Sequence, residues 1–319
     1  MRRSRKPIII ASRRSRLARV QAEAVGAALG RLHPHARVEF RWIESEGDQL
    51  TSVALADAGG KGLFVRAIER ALLQGEADVA VHSMKDLPAA AAELTPGLVV
   101  AAVPPRADVR DCLVTRTAAR TIDELPQGAC VGTSSPRRAA QLRRRRPDLR
   151  VQPMRGNIET RLAKVTDPGR GEPFDATLLA VAGLTRAGLA EHAQLPIDPD
   201  VLLPAAGQGA LAVQCRMDDH VTLRRCLPLN DAPSSEAVHA ERRIVAALRG
   251  DCHSPIAVLA EPTWDGRTPG LRLRARVLSP DGGRCIEADQ SAPVDDLRYL
   301  VPQVIQTMLA GGADALLHG

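Results

Sequence analysis

Ala129-Cys130-Val131-Gly132-Thr133-Ser134-Ser135-Pro136-Arg137-Arg138-Ala139-Ala140-Gln141-Leu142 reads as a strand, a polar turn and a helix. The run Ala129 to Gly132 has the length of a buried strand. Ser135 suits an N-cap and Pro136 the first helical position, where a missing N–H costs nothing and φ is preset. The helix runs to Arg146 and Pro147 closes it. Upstream, the same grammar gives the strand Ile8 to Ala11 and a helix with Ala18, Ala22, Val25, Leu29 and Leu32 on one face. A strand near Val38 to Ile43 and the turn Gly59-Gly60-Lys61-Gly62 come next. A helix with Phe64, Ile68, Ala71 and Leu72 on one face then stops at Gly75. Asp78 to His82 and Leu98 to Val103 are further strands. Downstream follow the strand Val151 to Met154, a helix from Ile158 to Val165 and the strand Ala176 to Val181. Such alternation predicts parallel sheets with helices on both faces. Two similar halves, divided at Pro104-Pro105, predict two α/β domains facing a cleft.

From Pro233 the pattern changes. A helix from Ser235 to Arg249 precedes the strands Pro255 to Ala260 and Leu271 to Leu278, the turn Ser279-Pro280-Asp281-Gly282-Gly283, another strand and a C-terminal helix. This is a small α+β domain, and 319 residues leave room for all three.

The formal net charge is +6, and only Lys6, Lys61, Lys85 and Lys164 are lysines, so arginine carries nearly all of the positive charge. Arginine is the side chain that grips carboxylate or phosphate in a bidentate fork. With three Phe, two Trp and one Tyr, the chain lacks the aromatic platforms of a single-strand nucleic-acid binder. Its six cysteines are scattered without a Cys-x-x-Cys pair, which fits reduced thiols better than a disulfide scaffold or a zinc ribbon. No apolar run approaches a membrane span. Arg2, Arg3, Arg5 and Lys6 have the composition of a transit peptide, but Ile8 to Ala11 reads better as the first strand. The expectation is a soluble, cytoplasmic protein that acts as a monomer, with neither a membrane nor a nucleic acid as partner.

Three segments share one layout, a strand followed by a polar or basic turn and a helix start: Ser12-Arg13-Arg14-Ser15, Ser83-Met84-Lys85-Asp86 and Thr133-Ser134-Ser135-Pro136-Arg137-Arg138. Helix N-termini present unpaired N–H groups and partial positive charge, so each is an anion site; the alternative is ordinary caps with solvated arginines. Arg137 and Arg138 in a first turn add to the positive end of their helix, so something anionic should compensate. Arg155-Gly156-Asn157, with Arg161 beyond it, and Arg186 after another strand repeat the device. Ligands of open α/β sheets sit beyond the carboxyl ends of the strands, so the implied ligand carries several negative charges. Arg143 to Arg146, in the last turn of a helix, reads as a solvated helix end or, alternatively, as a phosphate contact. Asp86 is the carboxylate embedded in these basic turns, either functional or the cap of a following short helix. His82 packs behind its strand, and with no second ligand nearby no metal site is expected. Cys252, in Gly250-Asp251-Cys252-His253-Ser254-Pro255, follows a helix C-terminus that raises a thiol pKa. A thiol-protease dyad is therefore a poor reading; an anchor that reacts once, or an inert loop cysteine, remains.

Together these segments resemble the porphobilinogen deaminases, also called hydroxymethylbilane synthases. The resemblance runs over nearly the whole chain. It is carried by Gly59-Gly60-Lys61-Gly62-Leu63-Phe64, Val81-His82-Ser83-Met84-Lys85-Asp86-Leu87-Pro88, Val131-Gly132-Thr133-Ser134-Ser135, Arg155-Gly156-Asn157 with Thr160-Arg161, Leu179-Ala180-Val181-Ala182-Gly183-Leu184 and Leu203-Pro204-Ala205-Ala206-Gly207-Gln208-Gly209-Ala210. It implies two α/β domains like those of periplasmic binding proteins around a cleft, plus a small C-terminal α+β domain. The implied boundaries are 1–105 with 208–230, 106–207, and 231–319. It implies a transferase of porphyrin and heme biosynthesis that joins four porphobilinogen units into hydroxymethylbilane with loss of ammonia, on a dipyrromethane cofactor held covalently by Cys252.

The resemblance makes Asp86 catalytic, assisting ammonia loss and stabilising the cationic pyrrole that results. It assigns Ser83, Lys85, Asp86, Thr133, Ser134, Ser135, Arg137, Arg138, Arg155 and Gly156 to the cofactor, and Arg13, Ser15, Lys61, Arg155, Arg161, Arg186 and Gln208 to the substrate. Each pyrrole carries an acetate and a propionate, and so many carboxylates cannot be buried without partners. Asp251 stands where the family commonly has glycine, a placement expected to crowd or repel those carboxylates. Two rival classes remain at this stage: a non-catalytic anion-binding protein, which needs neither Asp86 nor Cys252, and a nucleic-acid binder, which would show steep salt dependence.

Overall fold

The computed structural model describes residues 6–43, 62–90, 94–167, 174–251, 253–264, 266 and 268–318. They form two compact units, the first made of Met1–Pro88, Ala92–Arg106 and Ala210–Ser235, the second of Ala89–Ala91, Ala107–Gly209 and Glu236–Gly319.

The first unit is built on five strands: β1 (Ile8–Arg13), β2 (Val38–Ile43), β3 (Val79–Ser83), β4 (Leu98–Ala102) and β9 (Leu211–Arg216), in the order β2-β1-β3-β9-β4. Helices α1 (Arg16–Leu32) and α2 (Gly62–Leu73) cover it. Alternate residues of a strand face opposite sides of its sheet, and β1 uses both. Ile8 and Ile10 pack with Ala22, Val25 and Leu29 of α1, whereas Ala11 packs with Ile68 and Leu72 of α2. That explains why Ile8 to Ala11 of β1 is apolar without interruption.

The second unit holds two sheets. In the first, β5 (Asp111–Thr115), β6 (Cys130–Gly132), β7 (Arg150–Gln152) and β8 (Ala176–Ala180) take the order β5-β8-β6-β7. Helices α3 (Pro136–Arg145) and α4 (Ile158–Thr166) serve its two sides: Leu142 packs with Ala176 and Leu178, Leu162 and Val165 with Leu179. A short α5 (Val181–Arg186) continues from β8, and in the first unit a short α6 (His220–Cys226) follows β9. Then α7 (Ala232–Ala247) leads to the antiparallel meander β10 (Ile256–Trp264), β11 (Pro269–Leu278) and β12 (Cys285–Pro293), followed by α8 (Leu297–Ala310) and α9 (Ala313–His318). Ala237, Ala240, Ile244 and Leu248 on one side, and Leu300, Val301, Val304 and Met308 on the other, share one core with that meander.

The expectation of parallel sheets needs one correction in each α/β sheet. Strands β1, β2 and β3 are parallel, but β9 runs antiparallel between β3 and β4. Likewise β6 is parallel to β7 and β8, while β5 is antiparallel to β8. Both reversed strands escape a reading by hydrophobic alternation, since β9 carries Gln214 and β5 opens on Asp111, polar groups that are buried here.

The loop before β9 is fixed by close backbone contact. Gly209 sits at φ +84°, and a Cβ there would lie 2.5 Å from the carbonyl oxygen of Ala107. Gly209→Ala combines left-handed backbone with a clash that no side-chain rotation relieves, so it should lower stability by about 2 kcal/mol. Urea unfolding checks this; an unchanged midpoint would show that the loop is free to move.

Candidate active site

Parallel strands β1 and β3 end on the same edge of their sheet, at Arg13 and Ser83. Beyond β1, Ser15 occupies the N-cap of α1 without a side-chain capping bond. Beyond β3, Met84–Asp86 form a single 3₁₀ turn. Ser83 accepts a hydrogen bond from Gln21 Nε2 at 3.1 Å. Lys85 and Asp86 are half-buried. The capping alternative for Asp86 does not hold: it closes the 3₁₀ turn, and its carboxylate makes no hydrogen bond or ion pair among the described residues.

Behind this turn runs a buried polar chain. His82 Nε2 lies 3.1 Å from Gln214 Oε1, Gln214 Nε2 donates to Glu69 Oε1 at 2.8 Å, and Thr95 donates to Glu69 Oε2 at 2.6 Å. The Gln214 amide is oriented by Glu69, so its oxygen faces the ring and His82 donates. Burial pushes the His82 pKa down against the opposing pull of Glu69, Gln214 and Asp86. His82 is therefore a neutral group packed behind β3, as the sequence suggests.

In the second unit Ser135 is the N-cap of α3 and Pro136 its first residue, and Ser135 makes no side-chain capping bond. Thr133 N donates to Gln152 O at 2.8 Å, Ser134 Oγ to Met154 O at 2.9 Å, and Thr133 Oγ1 accepts from Ser135 N at 3.2 Å. The turn is thus held by its own hydroxyls.

Arg137 and Arg138 depart from expectation. They are 4% and 6% exposed and turn inward to Asp111, which is 0% exposed. Arg137 donates to Asp111 Oδ2 at 2.8 Å and to Leu203 O at 2.7 Å; Arg138 donates to Asp111 Oδ1 at 2.6 Å. The compensating anion is part of the protein. Burial lowers the Arg137 pKa, and Asp111 acts against it. Gln208, expected at the substrate, is also 0% exposed, and its amide donates to Asp111 Oδ1 at 2.9 Å and Val109 O at 2.8 Å. It has no surface to offer a ligand.

Arg155 behaves differently. It is exposed and makes no hydrogen bond or ion pair among the described residues. Gly156 follows at φ +121°, where a Cβ would press on Thr160, and Asn157 caps α4 by accepting from Thr160 N. Arg161 Nε donates to Gly156 O at 2.8 Å. Arg186 is half-buried and donates to Gly209 O at 2.7 Å, and burial lowers its pKa.

Lys61 and Cys252 lie outside the described residues. Beside Cys252, Asp251 accepts from His253 N at 2.9 Å and from Ser254 Oγ at 2.7 Å. Burial would raise the Asp251 pKa, but these bonds outweigh it and hold the carboxyl below its usual range. The carboxylate therefore stays ionised, with its orientation fixed inside the loop.

The arginine run lies at an exposed helix end, as expected, with Arg144 and Arg145 exposed, but three of its side chains are tied to the protein. Arg145 pairs with Asp123, Arg146 with Asp148 and the carbonyls of Ile122, Asp123 and Leu125, and Arg143 donates to Pro280 O. Sequence reasoning missed Asp111, Glu69 and Gln214, whose partners are far away in the chain.

These contacts separate two arginines that the sequence treats alike. Arg137→Leu should cost cofactor-free protein about 2–4 kcal/mol, through a broken buried pair, whereas Arg155→Leu should stay within about 0.5 kcal/mol. Chemical denaturation of both variants checks this; equal losses would contradict the assignment.

The family profile described as porphobilinogen deaminase, dipyromethane cofactor binding domain, matches residues 8–224, and the porphobilinogen deaminase C-terminal domain matches residues 235–310. Proteins named porphobilinogen deaminase from Ralstonia nicotianae and Syntrophotalea carbinolica are 47% and 46% identical to this chain, over 97% of it and 90% and 94% of their own lengths. The protein of that name from Chromobacterium violaceum is 44% identical over 97% of this chain and 96% of its own. Among solved structures, the periplasmic aliphatic sulphonate binding protein SsuA from Escherichia coli is 15% identical over 77% of this chain and 76% of its own, with a TM-score of 0.37.

Proposed function

The chain belongs to the porphobilinogen deaminase family, and from that premise we propose how its own residues carry the family's reaction. The activity is a transferase reaction of tetrapyrrole biosynthesis: four porphobilinogen units are joined head to tail into hydroxymethylbilane, each addition releasing ammonia, on a dipyrromethane cofactor. The residues present suit such a polycarboxylate. Among the described residues Arg155 makes no hydrogen bond or ion pair, Ser135 at the start of α3 makes no side-chain capping bond, and Arg138 Nε is buried without a hydrogen-bond partner. When bound, the dipyrromethane supplies the free pyrrole carbon to which the first substrate ring is joined.

Cys252 is the proposed covalent anchor, since in the sequence Pro255-Ile256 follows it at the family's spacing. Arg155, Ser134, Ser135, Thr133 and Gly156 would hold cofactor carboxylates; Arg13, Ser15, Lys61, Arg161 and Arg186 would receive those of incoming porphobilinogen. Ser83 and Lys85 would flank the reacting ring. Bidentate pairing fixes ring position as well as charge. Arg137, Arg138 and Gln208 support these groups from behind in the resting protein. We place the enzyme in the cytoplasm as a monomer without nucleic-acid partner. Among the described residues no helix is long and apolar enough to cross a membrane, and most of the Arg143 to Arg146 run is engaged internally.

The placement of Asp86 carries this reading. A half-buried carboxylate at a strand end, committed to no donor among the described residues, is available to a cation. It would pair with the ammonium of porphobilinogen, then face the positive charge that stays on the ring as ammonia leaves, and finally take the proton released when the new bond forms. Asp86→Asn keeps the shape but neither the charge nor the proton. Turnover should fall by about 10²–10⁴-fold, with stability changed by less than about 1 kcal/mol because no bond to the protein is lost. Steady-state kinetics and a melting curve on this variant test the proposal; turnover within tenfold of the parent would sink it.

A further inference from the structure

Asp111 lies outside every motif that marks the family in this chain, yet the start of α3 is organised around it. Its two oxygens hold Arg137 at 2.8 Å, Arg138 at 2.6 Å and Gln208 at 2.9 Å. Arg137 and Arg138 share no other carboxylate among the described residues. One negative charge is thus set against two positive ones. The surplus is fixed at the amino end of α3, where Ser135 makes no side-chain capping bond and Arg138 Nε is buried without a partner among the described residues.

The far side of the node is braced. Gly207 N donates at 2.6 Å to Glu241 of α7, which is 0% exposed and also accepts from Ala260 N at 2.9 Å. Glu241 therefore fixes the loop that carries Gln208, and Gln208 fixes Asp111.

We infer that Asp111 is a positioning residue for cofactor loading: it cancels one of the two arginine charges, locks both guanidiniums, and leaves a single oriented positive charge at α3 to receive a pyrrole carboxylate. The inference rests on the deaminase reading above. It differs from simple charge attraction in sign. If net charge alone drew the ligand, neutralising Asp111 would strengthen capture by raising the surplus. If Asp111 orients the arginines, neutralising it lets two buried like charges swing apart and capture weakens.

The test uses full-length protein purified free of cofactor, with porphobilinogen added and the covalent adduct followed by intact mass. For Asp111→Asn, the porphobilinogen concentration giving half-maximal loading should rise about tenfold or more, the scale of a lost charged hydrogen bond. The limiting rate should change little, because the thiol is untouched. An unchanged or lower half-saturating concentration overturns the inference. So does a loss confined to the fraction of protein that can load, since that is what a merely structural residue would give. Should Asp111→Asn not fold, Arg138→Met leaves the balanced Asp111–Arg137 pair and removes only the surplus charge. It should shift half-saturation by a similar factor, and unaltered loading there overturns the inference too. The unsubstituted protein in the same series keeps the two readings apart: an adduct on it, with equal loading by the variants, refutes the positioning role and leaves the deaminase reading intact.

Discussion

A carboxylate with no surface of its own, Asp111, faces two guanidiniums that are themselves almost fully buried, and much of the second unit is arranged to make this tolerable. Taking charges out of water costs several kcal/mol per ion unless geometry and hydrogen bonds compensate. Compensation comes from distant parts of the chain. Leu203 offers its carbonyl, Gln208 its amide, and Gln141 bridges Leu203 N to Arg276 of β11. The same contacts pull the loop 203–209 and the C-terminal meander onto α3. Leu203, Ala257 and Leu259 then close an apolar patch over the seam.

From this constraint follows a division of labour among arginines. Arg137 and Arg146 are committed to the protein, in forks that a lysine could not reproduce because an ammonium lacks the planar array of donors, while Arg138 gives Asp111 one bond and keeps its Nε without a partner among the described residues. Arg155 is presented outward on a turn that glycine and an asparagine cap hold in place. A polycarboxylate site needs both kinds, fixed cations that set shape and open cations that bind. The sparse lysine content is consistent with that demand.

Much of the fold is legible because strand, turn and helix each leave a local mark. The unbroken apolar run of β1, the Ser135-Pro136 start of α3 and the helical face from Ala237 to Leu248 all stand where periodicity and capping put them. The reversed strands β5 and β9 are not legible, since each carries a polar residue inward whose partner arrives from far away in sequence. The candidate site divides on the same principle. Asp86 and Arg155 announce themselves as charged residues at strand ends. The inward turn of Arg137 and the burial of Gln208 do not, because an arginine at a helix start looks the same whether its anion is a ligand or an aspartate some 26 residues away. Membership of a family supplies the reaction; it does not say which cations are engaged.

The central claim is that this chain holds a polycarboxylate primer covalently at Cys252. It is tested most directly by the intact mass, with peptide mapping, of protein made in a host that supplies porphobilinogen. The account predicts a mass above that of the bare chain by one dipyrromethane, carried on the peptide that contains Cys252 and absent from Cys252→Ser. A bare mass, or the same adduct on another cysteine, would contradict it.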